Sequence, residues 1–213
     1  MTSKVTGLAM VLGSAAFIIV AADASQAAPI VGSAGETPSS AVVAPFQTIP
    51  IPGAIAAQAG ASLKFRAHAR GVQVYTCTAS TAGATGGSAG APKYAWVLKA
   101  PDARLYDENN TPIGMHFGGP TWLSTDGSGA VGSKIGQVNS PLSDAIPWLQ
   151  LKIVKHTGSG VFTDIAYVQR LNTTKGVAPG TGCDVNTIGT TRSVDYTADY
   201  YFYKGVSVTS EGT

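Results

Sequence analysis

Apolar and polar positions alternate with a period of two along much of this chain. Leu63, Phe65, Ala67 and Ala69 interleave with Lys64, Arg66, His68 and Arg70, the pattern of a strand with one face on a core and the other in water. Gly71 interrupts the phase, and residues 72–77 read as a second strand or as the same strand beyond a bulge. Further strands are predicted at 94–99, 103–106, 114–117, 130–138, 148–155, 161–171 and 196–208. Turn signals lie between them, among them Asn109-Asn110-Thr111-Pro112, Asp126-Gly127-Ser128-Gly129 and Thr157-Gly158-Ser159-Gly160. Sustained helical periodicity is missing outside the first residues; Ala54 to Ala59 has room for one short turn. Short strands punctuated this regularly predict an all-β fold, an antiparallel sandwich or closed barrel.

The start of the chain follows a different pattern. Lys4 precedes an apolar run from Leu8 to Ala22, and small residues follow, with cleavage positions after Ala24 or Ala27. That is the form of a secretory signal peptide over residues 1–27. The run is shorter than the roughly 20 residues needed to span a bilayer, and no second run follows, so no transmembrane segment is expected in the mature chain. Residues 28–50, with scattered Pro, Ser, Gly and Ala and no apolar period, read as an extended or disordered arm. Residues 51–213 then form a single β domain, with a Gly/Ala/Ser/Thr tract from Ser80 to Ala91 as a surface loop.

Composition narrows the function classes. Only 12% of residues are charged and the formal net charge is +2, too little to attract nucleic acid or an acidic membrane. Cys77 and Cys183 are the sole cysteines. In the oxidising compartment that export implies, such a pair is most simply a disulfide, and the long loop it closes corresponds to about 4–5 kcal/mol of lost chain entropy in the unfolded state. The expected location is secreted or periplasmic.

Gly127-Ser128-Gly129-Ala130-Val131-Gly132 spells GxGxxG, but a dinucleotide site needs a strand before it and a helix opening on its last glycine. The residues that follow contain Gly136, Pro141 and β-branched side chains, so these glycines read as a hairpin turn and its exit. His68, His116 and His156 are widely separated and form no metal-ligand spacing. Neither cofactor nor metal is expected.

The most site-like segment is Gly114 to Trp122, where His116 lies beside a Gly-Gly-Pro turn and Asp126 follows nearby to orient or charge-pair its imidazole. The plainer alternative has His116 bonded to a turn and Trp122 filling the core. Residues 196–203 crowd aromatic rings together. In a strand, Tyr196, Ala198, Tyr200 and Phe202 share the core face. Asp199, Tyr201 and Tyr203 share the other, either as an exposed stacking strip or as cross-strand aromatic pairs. Lys64, Arg66, His68 and Arg70 form a basic ladder, suited to an anionic polymer or simply a solvated face.

Several ordered segments are familiar as a set: residues 71–77, 100–105, His116 to Trp122, Asp126-Gly127-Ser128, 145–149, 168–173, Gly182-Cys183-Asp184 and 196–203. Together they resemble a family of secreted bacterial and fungal proteins catalogued only as a domain of unknown function, over about residues 45–205. The resemblance implies one exported domain and brings no catalytic residues with it. Some fungal members carry a malate dehydrogenase label, which the sequence does not support, since no doubly wound pattern surrounds its GxGxxG.

The expected function is therefore that of a secreted, non-catalytic binding or surface protein for an extracellular ligand, a saccharide or small molecule. His116, Trp122, Asp126, Asp199, Tyr201 and Tyr203 are its candidate contacts. The alternative is a small extracellular enzyme, such as a hydrolase, using His116 with a carboxylate from Asp126 or Asp199.

Overall fold

A computed structural model describes residues 50–80 and 93–205. The expected signal peptide, the arm up to residue 49, the surface loop beyond Ser80 and the strand extension to Val208 lie outside the described residues. Eight strands follow in order: β1 Ser62–Ser80, β2 Lys93–Tyr106, β3 Pro112–Phe117, β4 Thr121–Ser124, β5 Gly129–Val138, β6 Trp148–Thr157, β7 Ile165–Lys175 and β8 Thr191–Lys204. Each pairs antiparallel with the next, and β8 returns to pair with β1. The result is an up-and-down closed barrel, the second of the two all-β architectures that the alternation left open. Closure satisfies the hydrogen-bonding edges that an open sheet would expose.

The strands depart from their expected bounds for local reasons. β1 is continuous through Gly71, and the inward phase survives it: Ala67, Ala69, Gln73, Tyr75 and Cys77 are all buried. Gly71 is instead a point of close approach, because a Cβ there would come within 2.1 Å of the Asp102 carbonyl oxygen. β2 runs as one strand through Pro101 because Lys99 is an extra residue opposite the Val74–Tyr75 step, and a bulge is where a strand tolerates proline. β4 lies between the Gly-Gly-Pro turn and the turn at Asp126, where no strand is predicted. Residues 161–164 form a turn rather than the start of a strand, and that turn carries Phe162 into the barrel.

The main core fills one end of the barrel. Phe65 stacks on Phe202 at 4.4 Å between ring centroids, Phe162 meets Phe202 at 5.1 Å, and Trp122 meets it edge-on at 5.9 Å. Phe162 acts as a plug held by two side chains of the β4–β5 turn. Asp126 Oδ2 accepts the Val161 N–H at 2.7 Å, and Ser128 Oγ accepts the Phe162 N–H at 3.1 Å while donating to Asp126 Oδ1 at 2.6 Å. Ser128 is fully buried. Ser128→Ala therefore leaves the Phe162 N–H without its partner and removes a hydrogen bond to a charged group, an expected loss of about 2–3 kcal/mol in urea unfolding. A loss under about 0.5 kcal/mol would show that the plug is not anchored there.

Two smaller clusters lie outside that core. The 3-10 turn Gly53–Ile55 crosses the outer face of β5 to β7, where Ile55 packs with Trp148 and Leu171 against Val138 and Tyr201. Gln169 Nε2 donates to the Ile55 carbonyl at 2.6 Å, and Gly136 gives the Ala54 carbonyl room that a Cβ would occupy. At the far end of β1, Cys77 is bonded to Cys183 across a separation of 106 residues. Tyr75 and Trp96 pack beside the bridge, and Trp96 Nε1 donates to the Thr181 carbonyl at 2.9 Å.

Candidate functional site

One end of the barrel is plugged, and the wall beyond the plug encloses a cavity of about 450 Å³. It is bounded by the Gly119-Pro120 turn between β3 and β4 and by Ile146 and Pro147 of the β5–β6 connection. Leu149 and Leu151 of β6 and Trp122 of β4 supply apolar wall. Gln73 and Tyr75 of β1, His116 of β3, Arg170 of β7 and Tyr200 of β8 supply the polar groups, with exposed Lys99 and Lys134 at the rim. These residues converge because alternate positions of every strand in a closed barrel point to one interior.

His116 is 2% exposed. Its ring stacks on Trp122 at 4.9 Å and lies tilted against Tyr200 at 5.0 Å. Nδ1 is 2.9 Å from the Thr121 carbonyl, and since a carbonyl only accepts, Nδ1 carries the proton and Nε2 keeps its lone pair. Burial, opposed by the Thr121 bond and reinforced by the positive Arg170, pushes the imidazole pKa down to about 3. His116 is a neutral group at physiological pH.

The carboxylates proposed as its partners are elsewhere. Asp126 sits at the plugged end, where the Ser128 hydroxyl, the Val161 N–H and the Ser128 N–H hold its carboxyl well below the usual range. Asp199 lies on the outer face of β8, 2.7 Å from His68 Nδ1 and accepting from Asn172 Nδ2 at 2.8 Å. No carboxylate pairs with His116 among the described residues.

Tyr201 and Tyr203 share that outer face with Asp199, as their spacing predicts, but both are half-buried. Tyr201 packs on the Ile55 cluster, and Tyr203 donates from its hydroxyl to Gln169 Oε1 at 2.7 Å. Burial raises both phenol pKa values. The basic ladder is likewise compensated: Lys64 pairs with Asp164, Arg66 with Glu108 and His68 with Asp199, while Arg70 donates to Asn110 and lies over the Tyr106 ring.

Of the predicted site residues, then, His116 and Trp122 line the cavity and the other four do not. Sequence reasoning missed Gln73, Tyr75, Arg170 and Tyr200 as cavity residues. Arg170 Nε and Nη2 donate to the Pro147 carbonyl at 3.2 and 2.8 Å, and no carboxylate neutralises it among the described residues. Its charge acts on Tyr75, Tyr196 and Tyr200 as well as on His116. The Tyr75 hydroxyl donates to the Gly176 carbonyl at 2.5 Å. Gln73 Nε2 and the hydroxyls of Tyr196 and Tyr200 are buried without a hydrogen bond of ordinary geometry. The one available signal for Arg170 was its parity with Val168, a charged residue on the inward side of a strand.

Chemically the site is a set of donors in an apolar enclosure. Among the described residues no three His, Cys, Asp or Glu side chains gather as a metal would require, and no helix is long and apolar enough to cross a membrane. The GxGxxG glycines straddle the turn before β5 and its first residues, so a strand stands where a dinucleotide fingerprint needs a helix.

A family model described as "Protein of unknown function (DUF3455)" matches residues 58–204. No curated protein and no solved structure matches.

Proposed function

The chain belongs to that family, whose function is unknown, and we propose that it is an exported, non-catalytic binding protein that takes a small molecule into the open end of its barrel. The observation that carries this reading is the cavity itself. Its volume of about 450 Å³ lies in the range of ligand pockets, and apolar walls with a few converging polar groups are their usual lining. Export is supported by the form of the first residues and by the Cys77–Cys183 bond, which persists in oxidising compartments. Catalysis is disfavoured by the state of His116, since a general acid or base works best with a pKa near the operating pH. With a pKa near 3 and its Nδ1 proton committed to Thr121, His116 is poorly suited to either task. Packed between Trp122 and Tyr200, it is better suited to a neutral structural place in the cavity wall.

The test uses a neutral apolar fluorophore, N-phenyl-1-naphthylamine, with the mature protein. Binding in the cavity brightens the dye and raises the melting temperature, about 2.7 kcal/mol of added stability at a hundredfold excess over Kd. Leu149→Trp, which fills the cavity from its half-buried wall, is expected to weaken dye binding at least tenfold while the protein stays folded. Absence of dye binding, or equal binding by the filled variant, would contradict the reading.

A further inference from the structure

The donors of the cavity say what kind of molecule it takes. Resting on the binding reading above, we propose that the ligand carries a carboxylate, held by Arg170 together with Gln73 and Tyr200, with its hydrocarbon body against Leu149, Leu151 and Ile146.

Charge is the first ground. Arg170, Lys99 and Lys134 line the cavity and no Asp or Glu does. Several acidic groups of the barrel surface are engaged elsewhere, Asp199 with His68 and Asn172, Asp164 with Lys64 and Lys204, and Glu108 with Arg66, while Asp102, whose charge reaches Tyr196, forms no ion pair with Arg170. Lys134 donates only to the neutral Gln137 at 2.8 Å. A partly desolvated guanidinium without a counter-charge is costly in a folded protein, and an anion entering the cavity relieves that cost.

Unmet hydrogen bonding is the second ground, and it is independent of charge. Gln73 is 1% exposed and its Nε2 has no acceptor; Tyr200 is 1% exposed and its hydroxyl, close to Tyr196 and Arg170, makes no hydrogen bond of ordinary geometry. Buried polar groups in folded proteins are nearly always satisfied, so unsatisfied ones ask for an explanation. Arg170 spends Nε and Nη2 on the single Pro147 oxygen, a neutral acceptor, and its guanidinium also lies close to the Tyr200 hydroxyl. All three groups donate, and a carboxylate is an acceptor with two oxygens matched to a guanidinium fork. A neutral alcohol satisfies fewer of these donors, and an ammonium satisfies none and meets like charge.

His116 sharpens the selection. Its proton is committed to Thr121 and its ring is packed against Trp122 and Tyr200, so it adds no positive charge to that of Arg170, Lys99 and Lys134. The flat apolar surface beside it suits a ligand with an unsaturated or aromatic body.

The experiment competes three compounds of one shape against the neutral dye: 2-naphthoate, 2-naphthalenemethanol and 2-naphthylmethylamine. The naphthoate should displace the dye at concentrations about tenfold or more below the alcohol, and the amine should be weakest. Arg170→Met and Gln73→Leu should each erase most of the naphthoate-over-alcohol preference, read as the ratio of the two displacement constants measured on the same variant and therefore independent of that variant's own dye affinity. Gln73→Leu keeps the test decisive if Arg170→Met does not fold, because it removes a buried unpaired donor. Dye binding with equal displacement by all three compounds overturns the carboxylate inference and leaves the cavity reading standing. Failure of the dye to bind overturns both.

Discussion

Replacing Cys77 and Cys183 together by alanine is expected to lower the unfolding free energy by about 4–5 kcal/mol. The bond closes 106 residues, so its removal frees a long loop in the unfolded chain. The native side of the balance points the same way. Cys77 is fully buried with Tyr75 and Trp96, and the bridge ties β1, the first strand of the barrel, to the connection that leads into β8, the last. Those two strands close the barrel against one another. A double substitution is the right comparison, because changing one cysteine leaves a reactive thiol on the other. Urea unfolding followed by tryptophan fluorescence measures the effect; an unchanged m-value with a loss below about 1 kcal/mol would show that closure does not depend on the bridge.

Acid should weaken the fold well before its carboxylates titrate, because of His116. Its folded pKa of about 3 lies below the 6.5 of an exposed imidazole, so the unfolded chain binds the proton more readily. A group depressed in this way contributes stability that is present above pH 6.5 and lost as pH falls toward 3. The loss is about 3 kcal/mol by pH 4. Burial against Trp122 and Tyr200 is the first cause, and the positive Arg170 adds to it. Asp126 and Asp164, whose carboxyls are held low by Ser128 with Val161 and by Lys64 with Lys204, act in the same direction but only below their own unfolded value of 3.8. The two effects therefore separate in pH. His116→Asn, whose amide can still donate to Thr121, should be less stable than the parent at pH 7 yet flatter between pH 6.5 and 4. A parent protein whose stability is level across that interval would contradict the burial of a neutral imidazole.

The alternation from Leu63 to Arg70 was enough to see an all-β chain, and the face assignments of residues 196–203 follow from the same period. Barrel closure was not legible, because it rests on β1 pairing with β8, a contact between the two ends of the domain that no local pattern encodes. Gly71 illustrates a subtler limit: a glycine that relieves a clash between strands and one that marks a bulge look identical in sequence. β4 is four residues long, too short for its period to register. The cavity was hidden for a further reason. Strand parity separates two faces, but it does not say that the inward face of a barrel keeps polar residues. The period of two therefore did not by itself mark Gln73 and Arg170 as lining an interior. His116 and Trp122 were legible because a histidine beside Gly-Gly-Pro is locally unusual; its lack of a carboxylate partner was a matter of tertiary placement, with Asp126 at the plugged end and Asp199 on the outer wall.

The central claim is that the barrel interior, not its aromatic outer face, receives the ligand. Amide chemical-shift mapping of the isotope-labelled mature protein during titration with the neutral dye tests it most directly. The account predicts shifts concentrated at Gln73, His116, Gly119, Leu149, Arg170 and Tyr200, with Asp199, Tyr201 and Tyr203 moved little. Shifts centred on Tyr201 and Tyr203, with the cavity residues silent at saturating dye, would contradict it.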